Sequence, residues 1–455
     1  MVQTITASCH CKLFSHTIEI SDEIVENKLP ISETTCSCDA CRFRTGQICI
    51  LTLSAKITET FPSKEVLSKL KRYDQKCGFS IGKKKDDNDS QSNSSTNNNM
   101  KIEEDDSENK NDHDDSANKD GLNKYSSTTS CDGTIITQFF CGNCGTKIYL
   151  QVSDIFDEKV EIGMWLLGCL DKIQLNDNNG KYLVDLKGHH FLDDTKDGGI
   201  ANIWNRFNGN ELMRYHDSLE LWEPKSIKTT IISNEGKVNE LKEKEEEEML
   251  NLHCKCNNFN VYVRRPKPEL PLPENCYWYQ HPYDDKGVPQ RYMASWCACN
   301  SCRITTGSSI PAHSWVQIPF RDIFTSNSTS SSPELFIKGE MTPTTEIPGL
   351  TKYQSSPDNK DISRYFCECC GSSIMYFDQS RSFIGSFPIG LNDSSPLNGT
   401  LNQSWFSWWT GESGVSFPPP INAYEDGEKR WGKLIMKEFE DGLISWGKSI
   451  GQRQK

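Results

Sequence analysis

The sequence predicts a mainly β protein built from two copies of one cysteine-rich module, followed by a C-terminal helix. Three observations lead to this prediction. Cysteine clusters of three kinds occur in one order and then occur again, short strand-like segments lie between them, and an apolar stripe of helical period follows the second copy. A chain of 455 residues is also too long for a single core to be the default expectation.

The internal repeat contains 14 of the 20 cysteines, seven in each copy. A Cys-x-Cys pair comes first, a Cys-x-Cys-x-x-Cys cluster comes second, and a pair followed by glycine comes third. In the first copy these are Cys9 and Cys11, then Cys36, Cys38 and Cys41, then Cys141 and Cys144. In the second copy they are Cys254 and Cys256, then Cys297, Cys299 and Cys302, then Cys367 and Cys370. Three clusters repeating in order are hard to obtain by chance, so the pattern predicts a duplication.

Composition places the boundaries of the two copies. We predict a first zinc domain over residues 1–225, a charged linker over 226–250, a second zinc domain over 251–425 and a C-terminal amphipathic helix over 426–455. An insertion at about 83–124 is rich in Asn, Asp, Ser and Lys and almost lacks apolar residues. Such a segment buries too little surface to offset its ordering entropy, so we predict that it is disordered.

The predicted strands are short segments that carry β-branched or aromatic residues and end at turn residues. They are Gln47–Ile57, Gly133–Phe140, Lys147–Val152, Val160–Leu167, Val261–Val263, His313–Ile318, Ile362–Phe366 and Ser372–Phe377. The C-terminal helix is predicted from apolar residues at helical spacing, and we expect this stripe to pack against its own domain. The stripe consists of Trp431, Ile435, Phe439, Leu443 and Trp446.

Charge and hydropathy exclude several classes of partner. The net charge is −13, the pI is near 5.3 and the mean hydropathy is −0.63, which disfavours binding to nucleic acid or to anionic lipid. No apolar run approaches the length of a membrane span, and Met1–His10 carries no secretory pattern. The expectation is therefore a cytoplasmic chain, or one present in cytosol and nucleus, with protein partners left open.

The two outer cysteine pairs of each copy together provide four thiolates, the number that a closed structural zinc site needs. We predict one such site from Cys9, Cys11, Cys141 and Cys144, and a second from Cys254, Cys256, Cys367 and Cys370. Cys370 is preferred to Cys369 because glycine follows it, as Gly145 follows Cys144. The competing interpretation, disulfides, is disfavoured because a Cys-x-Cys disulfide closes a strained loop and no secretory pattern is present.

The middle cluster supplies three thiolates within six residues and leaves one tetrahedral corner for an exchangeable ligand, which is typical of catalytic zinc. The alternative is an inert site completed by a fourth protein ligand. In the first copy, His10, Cys49 and Cys77 are nearby in sequence, but none recurs at the equivalent position of the second copy. His189 and His190, with nearby aspartates, are interpreted as part of a polar turn rather than as a further metal site.

The order of the clusters resembles that of the glutathione-dependent formaldehyde-activating enzyme and centromere protein V family. The resemblance rests on the three clusters and on residues beside them. These residues are the Arg42-Phe-Arg-Thr-Gly46 and Arg303-Ile-Thr-Thr-Gly307 segments after the middle clusters, and Phe140 and Phe366 before the third clusters. In the first half the likeness continues through Gly168-Cys-Leu-Asp171 and His190–Gly199, whereas in the second half Ile384–Gly390 is only a loose match.

The resemblance implies a β-tent fold of coiled sheets, with up to two zinc ions per module. It also implies a carbon-sulfur lyase that joins the co-substrate glutathione to formaldehyde, giving S-(hydroxymethyl)glutathione, or catalyses the reverse. The catalytic residues would be the six cysteines of the two middle clusters. Arg42 and Arg303, directly after the middle clusters, are candidates to pair with glutathione carboxylates. The alternative is that each is a surface arginine without a partner.

Two other functions stay open at this point. One is a non-catalytic zinc-binding interaction module, although the basic arm expected of a nucleic-acid binder is absent from the sequence. The other is a chain in which one copy is catalytic and the other only structural, the second copy being the better candidate for degeneration.

Overall fold

The computed structural model describes residues 3–27, 31–54, 62–77, 80–81, 125–126, 134–154, 160–171, 183–216, 249–266, 280–281, 291–308, 314–325, 334–356, 358–393, 399–410 and 433–450. Over these residues the chain is mainly β with a C-terminal helix, as predicted. The predicted disordered insertion, 83–124, lies outside the described residues, as does the linker up to residue 248. Among the described residues, no helix combines the length and apolar character needed to cross a membrane.

The described part of the first half is built mainly from short strands. They are β1 (Gln3–Ser8), β2 (Ser15–Ile20), β3 (Ile31–Cys36), β4 (Thr52–Ser54), β5 (Lys71–Cys77), β6 (Ser80–Ile81), β7 (Tyr125–Ser126), β8 (Thr134–Phe140), β9 (Lys147–Asp154), β10 (Val160–Leu166), β11 (Val184–His190), β12 (Arg206–Phe207), β13 (Asn210–Glu211) and β14 (Met213–Arg214).

The second half repeats this pattern. Its strands are β15 (Leu250–His253), β16 (Asn260–Val263), β17 (Gln280–His281), β18 (Arg291–Trp296), β19 (Ser314–Pro319), β20 (Ile323–Phe324), β21 (Leu350–Tyr353), β22 (Ile362–Cys367), β23 (Ser373–Asp378), β24 (Ile384–Pro388) and β25 (Phe406–Trp408). Among the described residues, the α-helices are α1 (Asp22–Asn27), α2 (Asp39–Thr45), α3 (Lys64–Leu67), α4 (Asn300–Thr306) and α5 (Lys433–Ser449).

The sheets show that the duplication extends beyond the cysteines. The first half contains the order β4-β10-β9-β8-β5, and the second half contains the matching order β19-β24-β23-β22-β21. The strand before each middle cluster also pairs in parallel with a strand from the end of its own half, β3 with β11 and β18 with β25. The loosely matching segment Ile384–Gly390 therefore contains a strand equivalent to β10, and the second copy keeps this part of the fold.

Seven of the eight predicted strands are present, with their ends displaced by a few residues. The exception is Gln47–Ile57, where only Thr52–Ser54 forms a strand among the described residues. Before Thr52, the backbone forms an isolated β-bridge instead of a strand. In this bridge Ile50 exchanges two hydrogen bonds of 2.9 Å with Cys36. This bridge fixes the first cysteine of the middle cluster.

One continuous cluster of buried residues runs through both predicted domains. Helix α2 packs against the one-turn 3-10 helix Ile389–Leu391 of the second half, and α4 packs against the equivalent turn, Leu167–Cys169, of the first. Backbone groups meet directly as well, since the Gly168 amide donates to the Gly307 carbonyl at 3.1 Å. The repeats therefore form an intramolecular pair with a shared core.

The C-terminal helix α5 packs on both halves rather than on the second alone. Phe439 lies edge-on to Trp296 and Trp446 lies edge-on to Trp408, both in the second half. The Glu438 carboxylate accepts hydrogen bonds from the backbone amides of Asn208 and Gly209 in the first half. The apolar stripe is thus covered within this chain where its side chains are described; Trp431 and Ile435 fall outside that part.

Candidate metal centre

The closed cluster of the first half brings together two turns that are far apart in sequence. The sulfur atoms of Cys9, Cys11, Cys141 and Cys144 all lie within 4.8 Å of one another. The Cys9 and Cys11 sulfurs are 3.5 Å apart, and the Cys11 and Cys141 sulfurs are 3.6 Å apart. This grouping matches the predicted four-cysteine set.

The second half contains the equivalent group, formed by Cys254, Cys256, Cys367 and Cys370 within the same 4.8 Å limit. The Cys256 sulfur lies 3.5 Å from both the Cys254 and the Cys367 sulfurs. Cys370 belongs to this group, whereas Cys369 is exposed and lies outside it.

Glycine follows the last cysteine of each closed cluster for two physical reasons. Gly145 and Gly371 have φ values of +71° and +74°, a left-handed conformation that residues with a Cβ adopt at a cost. A Cβ at Gly145 would meet the Phe366 ring at 2.5 Å, and a Cβ at Gly371 would meet the Phe140 ring at 2.6 Å. The phenylalanine before each third cluster therefore packs on the glycine of the opposite half.

The closed clusters fit a tetrahedral metal ion with thiolate ligands. Zinc–sulfur bonds of about 2.3 Å at tetrahedral angles place sulfur atoms about 3.8 Å apart, close to the distances observed. Disulfides do not account for the clusters, because an S–S bond is about 2.05 Å long, and the 17 cysteines whose side chains are described form no disulfide. The clusters can hold a metal, and four soft thiolate ligands are compatible with zinc.

The two middle clusters each form a compact three-sulfur group, Cys36, Cys38 and Cys41 in the first half and Cys297, Cys299 and Cys302 in the second. The first two sulfurs are 3.4 Å apart in the first half and 3.5 Å apart in the second. Cys38 and Cys299 cap the helices α2 and α4, where their sulfurs accept the amides of Cys41 and Cys302 at 3.4 Å. The short helix explains the Cys-x-x-Cys spacing, because one turn returns the second sulfur to the first.

Neither described candidate for a fourth protein ligand joins the first middle cluster. Among the described residues, no His, Cys, Asp or Glu ligand atom completes the three-sulfur group within 4.8 Å. Cys49 is buried but lies outside the group, and the Cys77 side chain lies outside the described residues. His10 instead contacts the second half, where its Nε2 lies 3.1 Å from the Ser301 hydroxyl. This arrangement favours the interpretation of a three-cysteine site with an open corner.

A buried arginine accompanies each middle cluster, but the two halves supply it from different positions. In the first half, hydrogen bonds from Cys36 and Cys41 lower the pKa of Cys38, and the Arg44 guanidinium adds to this effect. In the second half, Arg364 on strand β22 donates from Nη2 to the Cys302 sulfur at 3.2 Å. Each cation stabilises cysteine in the thiolate form that binds metal.

The surroundings of the two middle clusters also differ. The first is packed among aliphatic side chains, chiefly Ile50, Leu150 and Leu166. The second is packed against Trp315 and Tyr376, whose ring centroids are 6.2 Å apart. Leu150 and Tyr376 occupy equivalent positions, because they pair across the sheet with Gln138 and Arg364 respectively. The second copy therefore has a more aromatic site.

The structure corrects the predicted role of Arg42 and Arg303. Both side chains are buried at the interface between the halves, with exposures of 0% and 1%. Arg303 Nη1 donates to the carbonyls of Gly168 and Leu170 at 2.7 and 3.0 Å, and Arg42 Nη1 donates to the Asn392 carbonyl at 3.2 Å. The helix that contains the third cysteine of each cluster directs its arginine into the interface. These arginines therefore join the two halves and do not face solvent, where a glutathione carboxylate would bind.

His189 and His190 lie at the end of strand β11 rather than in a turn. The His189 Nδ1 lies 2.7 Å from the Thr35 hydroxyl, and its Nε2 lies 2.6 Å from the Trp204 carbonyl. Since a carbonyl only accepts, Nε2 carries the proton and Nδ1 accepts from Thr35. Both ring nitrogens of His189 therefore have partners, and this ring is a satisfied core histidine.

Sequence reasoning missed Arg44, Arg364 and Ser301 as neighbours of the middle clusters, and it considered His10 only for the cluster of its own half. Arg44 lies within the repeated segment, but Thr305 replaces it in the second half. Arg364 lies on an ordinary strand with no motif around it, and His10 acts on the opposite half. Such contacts depend on how the halves pack, which the spacing of the cysteines does not reveal.

The comparisons with known proteins add no assignment: no family model, no curated protein and no solved structure matches this chain.

Proposed function

We propose that this chain is a zinc-dependent carbon-sulfur lyase of the glutathione-dependent formaldehyde-activating and centromere protein V type, with β-tent modules. Its proposed reaction is the addition of a thiol, most simply glutathione, to formaldehyde, or the reverse. The observation that carries the proposal is the pairing, in each half, of a closed four-sulfur group with a three-sulfur group that lacks a fourth ligand among the described residues.

The three-sulfur groups are suited to an incoming thiol because they are only partly covered. Cys36, Cys41 and Cys299 are half-buried, so a small ligand can approach them, whereas Cys38 and Cys302 are buried. A zinc ion held there would supply a fourth coordination position and would lower the pKa of a thiol bound at it. Trp315 and Tyr376 pack beside the second cluster and line one side of it with apolar surface.

The reaction balances without a redox partner. The thiol sulfur forms a bond to the aldehyde carbon, the C=O π bond breaks, and the thiol proton ends on the oxygen. Charge develops on that oxygen before the proton arrives, and in the second half Arg364 provides a cation beside the three-sulfur group. Its Nη2 contacts Cys302, and its buried Nε has no hydrogen-bond partner among the described residues. A preorganised donor of this kind stabilises a developing alkoxide.

Exchange NMR on a mixture of formaldehyde, glutathione and S-(hydroxymethyl)glutathione tests the proposal. We expect the zinc-loaded chain to accelerate exchange between free and adduct signals, and a Cys38→Ser, Cys299→Ser double variant to abolish the acceleration. The matched control is Cys369→Ser, which removes an exposed cysteine outside every cluster and should exchange like the unmodified chain. The two single variants report which half is active.

An unaccelerated mixture, with zinc confirmed in the protein, would contradict the lyase proposal. That outcome would favour the alternative of a non-catalytic zinc module. Acceleration that survives in the double variant would place the chemistry away from the middle clusters and would contradict the assignment of the site.

A further inference from the structure

We propose that the closed cluster of each half positions the open cluster of the other half, so that the four metal sites are connected crosswise. Two contacts between the halves, each called a crosswise bridge, make this connection. One bridge joins His10 to Ser301, and the other joins His253 and Lys255 to Phe43.

The first crosswise bridge starts inside the closed cluster of the first half. His10 stands between the ligands Cys9 and Cys11, and its Nε2 lies 3.1 Å from the hydroxyl of Ser301. Its Nδ1 lies 2.7 Å from the hydroxyl of Tyr353, also in the second half. Both ring nitrogens of this residue are thus committed to the opposite half.

Ser301 connects His10 to the open cluster of the second half. It belongs to helix α4 and directly precedes Cys302, a member of that cluster. Arg364 Nη2 contacts both groups, the Ser301 hydroxyl at 3.4 Å and the Cys302 sulfur at 3.2 Å. His10 therefore helps to fix the helix and the cation that shape the second open cluster.

The second crosswise bridge is the counterpart of the first. His253 precedes the ligand Cys254, and its ring stacks on Phe43 with centroids 4.1 Å apart and planes 25° apart. Lys255, which occupies the position equivalent to His10, donates from its backbone amide to the Phe43 carbonyl at 3.0 Å. Phe43 lies in helix α2, two residues after Cys41.

In the first half, contacts within the half hold a different part of the open cluster. They fix the strand end and the start of the helix, through the amides of Cys36, Ser37 and Asp39. In the second half, Arg364 contacts the third cysteine from within the half, and Ser301 of the crosswise bridge contacts Arg364 in turn. The crosswise bridges act further along the helix, near the third cysteine. A closed cluster without metal lacks the ion that would tie its two cysteine pairs together, so its turn loosens and its bridge weakens.

The consequence is a coupling of metal sites that is reciprocal by linkage. Loading the closed cluster of one half should strengthen metal binding at the open cluster of the opposite half more than at the open cluster of its own half. This inference rests on the proposed metal sites but not on the lyase reaction, so its test uses metal binding as the readout.

Cobalt titration of the full chain, followed by sulfur-to-cobalt charge-transfer absorption, tests the crosswise connection. The Cys38→Ser background leaves only the second open cluster, and the Cys299→Ser background leaves only the first. We expect His10→Ala to weaken cobalt binding about fivefold at the second open cluster and to leave the first unchanged. His253→Ala should give the opposite pattern, so each variant is the matched control for the other.

Two further variants keep the test decisive if His10→Ala disturbs its own closed cluster. Ser301→Ala removes the same hydrogen bond from the opposite side and should weaken the second open cluster to a similar extent. His10→Gln keeps a polar group that can reach Ser301 and should restore part of the affinity. Effects confined to the mutated half, equal effects on both open clusters, or no effect on either would overturn the proposal. Failure of the lyase assay alone would leave these outcomes unchanged.

Discussion

Lys147 and Ser373 occupy equivalent positions in the two halves, three residues after the last cysteine of each closed cluster, and they hydrogen-bond to each other. A residue can contact its own counterpart only near the axis that relates the two copies. The equivalent pair Phe140 and Phe366 also meets, with ring centroids 6.4 Å apart. The pseudo-twofold axis of the molecule therefore passes between the two closed clusters.

The first prediction concerns the Lys147 ammonium, which lies near ligands of both closed clusters. Burial lowers its pKa to about 7, against the opposing effect of Cys370 and Cys144. A zinc ion with four thiolates carries two negative charges, so a loaded pair of clusters requires this cation more than the metal-free protein does. We expect Lys147→Met to accelerate loss of zinc to a chelator about tenfold, as measured by a colorimetric zinc indicator.

The control for Lys147→Met is Ser373→Ala, which removes the hydrogen bond but keeps the charge. It should change the rate of zinc loss much less. Equal rates for Lys147→Met and the unmodified chain would show that the cation does not stabilise the loaded clusters.

The second prediction tests how closely the halves approach each other at Gly168. A Cβ at this position would meet the Gly307 carbonyl carbon at 2.3 Å, which neither backbone can accommodate without moving. We expect Gly168→Ala to lower the free energy of unfolding by about 3 kcal/mol, as measured by urea denaturation.

Gly339→Ala is the comparison for Gly168→Ala. Gly339 has a φ of +84°, but a Cβ there would meet no atom within 4 Å. Its cost should be only the backbone strain, about 1 kcal/mol. If the two substitutions cost the same, the close contact between the halves is not a feature of the folded protein.

The third prediction concerns His189, whose burial lowers its pKa to about 4. A histidine in an unfolded chain titrates near pH 6.5, so on acidification the unfolded state binds the proton first. The stability contributed by the neutral ring is therefore complete above about pH 6.5 and is lost as the pH falls towards 4.

Urea unfolding of the unmodified chain and of His189→Gln at two pH values measures this contribution. Between pH 6.5 and pH 5.0, the unmodified chain should lose about 1.5 kcal/mol more of its free energy of unfolding than the variant does. Comparing the two proteins cancels the acid sensitivity of the cysteine clusters. Parallel losses would mean that His189 is not held neutral.

The fourth prediction concerns the difference between the open clusters. Arg364 and Gln138 occupy equivalent strand positions, so Arg364→Gln gives the second half the residue of the first. Loss of the cation beside Cys302 should weaken cobalt binding at the second open cluster about tenfold in the Cys38→Ser background. It should also slow alkylation of that cluster in the metal-free protein, because less thiolate is present.

Arg364→Lys separates charge from geometry at this site. It keeps a cation but loses the planar fork, and we expect it to retain part of the affinity. An Arg364→Gln chain that binds cobalt like its parent would remove Arg364 from the account of the site.

The cysteine clusters were predictable from the sequence because their order and spacing repeat. Even the choice of Cys370 over Cys369 followed from one glycine. The interface was not predictable, because nothing in the spacing of the cysteines tells how two copies pack. Arg42 and Arg303 illustrate this limit. Their repeated position after the clusters suggested that they bind a ligand. A symmetric buried interface between the two copies produces the same repetition. The strand prediction for Gln47–Ile57 failed locally because tertiary contact with Cys36 overrides β propensity there.

We expect the chain to carry two closed and two open metal sites. The number of bound zinc ions and the identity of their ligand atoms distinguish the two kinds of site. Zinc analysis by mass spectrometry and X-ray absorption on the reduced chain should give four zinc ions, with sulfur as the dominant ligand. The Cys38→Ser, Cys299→Ser double variant should stay folded and retain two, now almost wholly coordinated by sulfur. A zinc content that does not fall by two in this variant, or a double variant that unfolds as readily as Cys141→Ser, would contradict the division into closed and open sites.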